Sequence, residues 1–194
     1  MTVSALILFF TFYPVIKEEI KYDFFPKKSD VKVGTRSEVK GISTQNVIVP
    51  VDEQFGIVIP KISANAKVIP EVDSQNSDIY QRALTKGVAH AKGTAFPDEN
   101  GNTFIFAHSS ADFFEASRYN AVFYLLSKLE MGDEIYLFYR GIKYQYRVTE
   151  KKNVSSEEAF YLEKNTPEKI LTLMTCWPPG TTLRRLIVIA KPAS

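Results

Sequence analysis

From Gln54 to the C-terminus, the apolar residues come in short runs, from Lys67–Pro70 (KVIP) to Ile142–Thr149 (IKYQYRVT). Nearly every run is closed by proline, glycine or a polar turn. Runs of this length are too short for ordinary helices and suit strands. The chain's 14 Phe and 10 Tyr, with many Val and Ile, reinforce that preference. Expected strands are Phe55–Pro60, Lys67–Pro70, Val88–Ala91, Thr103–His108, Glu134–Tyr139, Ile142–Thr149, Ile170–Thr175 and Leu186–Ala190. The two that end in proline suit strand edges better than a central ladder. Arg140-Gly141 separates two alternating runs and predicts a hairpin. Helical segments are few. Ser77–Lys86 begins at a capping residue, Ser77 or Asp78, and stops at Gly87. Ala121–Leu129 has the length of a two-turn helix, and Ser155–Tyr161 reads as a capped helical turn. Seven or eight strands with only short helices predict an all-β fold, a closed barrel or a sandwich.

The N-terminal quarter is different. Val3–Ile16 (VSALILFFTFYPVI) carries no charge but has only 14 residues, roughly 21 Å as a helix at about 1.5 Å per residue. A full membrane span needs about 20 residues. Neither a basic leader nor a small-residue cleavage site flanks it. Three readings fit: a membrane anchor whose upstream end is missing, a remnant of a signal peptide, or an apolar segment packed on the domain. Lys17–Glu53 is polar, mixed in charge and without period, the composition of a linker. The expected organisation is a short hydrophobic membrane segment over 1–16, a polar linker over 17–53 and one domain over 54–194.

Composition removes several functions. With 24 Lys plus Arg against 22 Asp plus Glu, the net charge of +2 is too small for a nucleic-acid binder. A single cysteine excludes an intramolecular disulfide, a Cys-cluster zinc site and a CxxC redox pair. Two histidines, His90 and His108, leave little for a His-based metal site, and no cofactor or metal is expected.

Few residues can carry chemistry. A lone thiol is usually a small buried hydrophobe, but Cys176 ends a strand and opens a Pro-Pro-Gly turn, where it can face a cleft. A thiol becomes a nucleophile with help from an imidazole or a nearby cation. His90 and His108 lie on different segments, and spacing does not choose between them. If Ile170–Cys176 and Arg185–Lys191 pair antiparallel, Cys176 falls opposite Arg185. Opposite residues share a face, so Arg185 stands beside the sulfur and Arg184 points away. A guanidinium there can donate to a substrate carbonyl or a developing oxyanion.

Three blocks together resemble the sortase family. Thr172-Leu-Met-Thr-Cys176, Pro178-Pro179-Gly180-Thr181 and Arg185-Leu-Ile-Val are similar to its cysteine region. Lys86-Gly-Val-Ala-His90, Gly93-Thr94-Ala95, Gly101-Asn102 and Ala107-His108-Ser109-Ser110 are similar to its histidine region. Ile59-Pro60-Lys61-Ile62 is similar to the opening strand of its barrel. They run in family order from Gln54 to Ala190. Ala107 departs from the pattern, since many members carry glycine there. The short turn after Cys176 resembles classes D and E more than class A.

The resemblance implies a closed eight-stranded β-barrel and a cysteine transpeptidase. Cys176 matches the nucleophile, His108 the catalytic histidine, Arg185 the arginine, and Thr175 the threonine that lines the substrate site. His90 matches a recurrent position without a catalytic role. The implied substrates are surface or pilin proteins bearing a signal like Leu-Pro-x-Thr-Gly, joined to an amine of a cell-wall precursor or a pilin lysine. The implied location is the bacterial cell membrane, with the domain outside and a single N-terminal anchor. Two other classes are a cysteine peptidase with water as acceptor and a binding barrel with a bystander thiol. Cysteine, histidine and arginine at matching positions argue against the second.

Overall fold

A computed structural model describes residues 32–35, 47–109, 122–158, 166–179 and 181–193. The apolar stretch Val3–Ile16 lies outside the described residues. Among the described residues, no helix is long and apolar enough to cross a membrane.

Eight strands close into a barrel: β3 (Phe55–Ile59), β4 (Ala64–Val72), β5 (Val88–Ala91), β6 (Asn102–Phe106), β7 (Glu134–Tyr139), β8 (Ile142–Val154), β9 (Ile170–Trp177) and β10 (Arg184–Pro192). The order around the ring is β10-β8-β7-β3-β4-β5-β6-β9. All pairs are antiparallel except β4 with β5 and β6 with β9. The closed eight-stranded barrel is the expected one. Its interior is filled by alternate residues of each strand, among them Ile57, Ile59, Leu137, Leu171, Leu173 and Val188.

The unbroken apolar run of β3 has a physical cause. Ile57 and Ile59 face the interior, while Val58 joins Tyr136 and Phe138 of β7 in a second cluster on the outer wall. Val33 and Ile48 cover that cluster. They belong to a parallel pair, β1 (Lys32–Val33) and β2 (Val47–Ile48). Lys143 Nζ donates to the Val33 carbonyl at 3.0 Å. Part of the stretch read as a polar linker is therefore laid against the barrel, and its two apolar residues there, Val33 and Ile48, are too few and too far apart to register as a period.

Other elements depart from expectation for local reasons. Pro70 lies inside β4, at the register shift between Ile69 and Val72, where its missing N–H removes no ladder bond. Helix α1 (Ser77–Leu84) is capped by Asn76, whose side chain accepts from the Ile79 N–H, rather than by Ser77 or Asp78. Tyr124–Lys128 is a 3-10 turn, not an α-helix. Phe123, Leu126 and Leu129 are fully buried at intervals of three, which is the period of a 3-10 turn. Ser155 and Glu158 form the expected reciprocal cap, each accepting the other's N–H; residues from 159 to 165 lie outside the described ones. Arg140 and Gly141 both adopt positive φ, the geometry of a tight hairpin turn.

Candidate active site

β9 and β10 pair so that Arg185 stands opposite Cys176, Arg184 opposite Trp177, and Leu186 opposite Thr175. Leu171, Leu173, Leu186 and Val188 belong to the barrel core. By alternation, Thr175 shares their inward side and Cys176 and Arg185 share the outward face. Cys176 is half-buried.

The third group arrives from β6. Phe106 is level with Met174 in the parallel β6–β9 ladder. One residue on, the Ala107 N–H donates to the Met174 carbonyl at 3.1 Å. Thr175 Oγ1 donates to the Ala107 carbonyl at 2.9 Å. Ala107 thus exchanges bonds with both residues that precede Cys176, and His108 leaves the sheet beside the cysteine. Its ring is half-buried, and Nε2 lies 3.1 Å from Gln81 Oε1 of α1. Tyr80 of the same helix meets Phe106 edge to face at 6.4 Å between ring centres.

Thr175 is 2% exposed, and its hydroxyl is engaged with the backbone of the His108 segment. Arg185 is partly exposed. Its Nη1 donates to the carbonyls of Thr182 at 3.0 Å and Arg184 at 3.1 Å. Those two bonds orient the guanidinium plane at the rim of the β9–β10 turn. Glu157 is held below the usual carboxylate range by its own backbone N–H, then by the Ser155 hydroxyl, and to a smaller extent by the charge of Arg185.

His90 sits in different surroundings. It is fully buried in β5 and stacked on Phe96 with ring centres 4.7 Å apart. The Glu71 N–H donates to Nδ1, which leaves the proton on Nε2. That N–H faces the Ala95 carbonyl at 3.2 Å and Thr94 Oγ1 at 2.9 Å, while the Thr94 hydroxyl donates to the Ala91 carbonyl. Burial depresses the basicity of this ring, against the opposing pull of the Ala95 carbonyl and of Glu71 and Glu99. It is a neutral, fully bonded core residue. His108 instead follows the β6 segment whose Ala107 is bonded to the two residues before Cys176.

A groove of about 560 Å³ opens at the same end of the barrel, lined by Trp177, Pro179, Leu186, Tyr124 and Lys151 among others. It borders the site through Trp177; Cys176 itself does not line it.

A family model described as the sortase domain matches residues 57–193. This chain belongs to the sortase family. Sortase D of Bacillus subtilis is 27% identical over 136 residues, covering 69% of this chain and 60% of the relative. The chain thus spans about three-fifths of that protein's length. Among solved structures, sortase C-1 of Actinomyces oris is 28% identical with a TM-score of 0.61, covering 74% of this chain and 76% of that one. Sortase C of Clostridium perfringens, solved with the C-terminal cell wall sorting motif, is 27% identical with a TM-score of 0.58, covering 72% and 69%. The likeness to Sortase D agrees with the class resemblance of the short turn after Cys176.

Proposed function

We propose that this sortase-family chain is a cysteine transpeptidase in which Cys176, His108 and Arg185 carry the reaction. The observation that carries the reading is the pairing of Arg185 with Cys176 on the outward face of the sheet, with the His108 segment bonded to the residues just before the cysteine. Cys176 Sγ attacks the threonine carbonyl of a signal like Leu-Pro-x-Thr-Gly. Its proton goes to the histidine, and the carbonyl oxygen takes the negative charge beside the Arg185 guanidinium. The peptide C–N bond breaks, the leaving amine takes a proton from His108, and a thioester remains on Cys176. An incoming amine, from a cell-wall precursor or a pilin lysine, gives a proton to His108 and displaces the sulfur. Thr175 acts at one remove, bracing the Ala107 carbonyl. The outward face suits an extended peptide, since nothing need enter the barrel. The uncharged Val3–Ile16 would hold the domain at the outer side of a bacterial membrane.

The test is a sorting-signal peptide incubated with and without an added amine. Wild-type protein should form a peptide–enzyme thioester, visible by mass spectrometry, and transfer it to the amine. Cys176→Ala should form neither thioester nor product, because the chain has no second thiol. Product formation near the wild-type rate in that variant overturns the reading. Hydrolysis that added amine leaves unchanged would make the chain a peptidase.

A further inference from the structure

Helix α1 also reaches the site, through Gln81 on the His108 ring. We propose that Gln81 is a positioning residue for His108: its side-chain carbonyl accepts the Nε2 proton, fixes the ring's tautomer and orientation, and stabilises the imidazolium. This rests on the transpeptidase reading above.

The contact is 3.1 Å between Nε2 and Gln81 Oε1, bridging 27 residues of sequence. An amide oxygen only accepts, so Nε2 carries hydrogen in both the neutral and the charged ring. Proton exchange with the thiol or the amines then falls to Nδ1. The two ring nitrogens are not equivalent, and the partner of one sets the work of the other.

The acceptor stands on a rigid platform. Helix α1 is closed at its N-terminus by the Asn76 side chain and at its C-terminus by the Thr85 hydroxyl on the Arg82 carbonyl. Ala83 and Leu84 anchor it in the core. Two successive helix residues meet the outgoing β6 segment: Tyr80 on Phe106 and Gln81 on His108. The backbone of that segment is held from the other side by Met174 and Thr175. The imidazole is thus set from β9 through its backbone and from α1 through its ring. A general acid–base group works only within hydrogen-bond reach of its proton, and a neutral amide orients the ring without adding a charge that would hold the proton too tightly.

The experiment compares Gln81→Ala, Gln81→Met and Gln81→Glu with wild type in full pH–rate profiles on a sorting-signal peptide, alongside melting temperature. Gln81→Ala and Gln81→Met should lose about 10- to 100-fold in kcat, the scale of one hydrogen bond to a charged group. KM and melting temperature should stay close to wild type. The limb of the profile that belongs to His108 should move to lower pH in both, because the cation loses an acceptor. In Gln81→Glu it should move to higher pH, because a carboxylate favours the cation. Unchanged kcat and unchanged limbs in all three variants overturn the assignment, as does a loss of activity that only tracks melting temperature. Cys176→Ala, run in parallel, separates the two failures: an active Cys176→Ala sinks the transpeptidase reading, whereas an inactive one with silent Gln81 variants sinks only the role of Gln81.

Discussion

Arg184 and Arg185 are neighbours of the same type, and the sheet gives them opposite surroundings. Arg185 shares a face with Cys176, and its Nη1 is tied to two carbonyls at the turn. Arg184 is exposed, opposite Trp177. Arg185→Ala should slow turnover by an amount equivalent to about 3–4 kcal/mol of barrier, the worth of a positioned oxyanion donor. Arg185→Lys should recover only part of it, because a point charge lacks the planar fork. Arg184→Ala should stay within a few-fold of wild type. Steady-state kinetics on a sorting-signal peptide, with circular dichroism for folding, read all three; a silent Arg185→Ala would remove arginine from the mechanism. The two histidines diverge in the same way. Burial holds the pKa of His90 below its ordinary value of 6.5. The unfolded chain therefore binds a proton below about pH 6.5 that the folded protein refuses. Stability from this residue is present above that pH and is lost as pH falls from there toward the folded-state pKa. Melting temperature should drop between pH 7 and 5.5, and His90→Gln should flatten that drop; parallel curves for the two proteins would show that His90 is not its source.

At the scale of elements, β1 and β2 matter more than their two residues apiece suggest. Val33 and Ile48 cover Val58, Tyr136 and Phe138. Just after β2, the Asn65 amide donates to the Val49 carbonyl and its oxygen accepts the Val51 N–H. Asp52 receives the N–H groups of Gln54 and Phe55 and pairs with Lys67 at 3.0 Å. A protein beginning at Gln54 loses all of this and exposes an apolar patch on the barrel wall, a recipe for association. One beginning at Lys32 keeps it. Both retain Cys176, His108 and Arg185, so both should turn over peptide. The shorter should melt lower and self-associate on size exclusion; equal melting temperatures and a monomeric Gln54 protein would mean that the arm contributes nothing to the fold.

For the molecule as a whole, what was legible in the sequence was what is local or repeats along the chain. The alternation of β7 and β8 and the Arg140-Gly141 turn lead directly to their hairpin. The register of β9 with β10 follows from counting across one short turn. Contacts that bridge distant segments leave no such trace. Gln81 is an ordinary helix residue until β6 is packed against it, and Val33 is an ordinary valine in a charged stretch. Thr175 precedes the cysteine, but its bond to Ala107 exists only because β6 and β9 run parallel. The 3-10 turn is not legible in advance, because an apolar run of that length fits either helix period until burial selects one.

The ring order fixes where the N-terminal arm lies relative to the candidate site. Counting round the eight strands, β3 and β7 are each four places from β9 and β6 respectively. The N-terminal arm therefore grips the barrel on the wall diametrically across from Cys176 and His108. Whatever binds through β1 and β2 thus leaves uncovered the wall that carries Cys176.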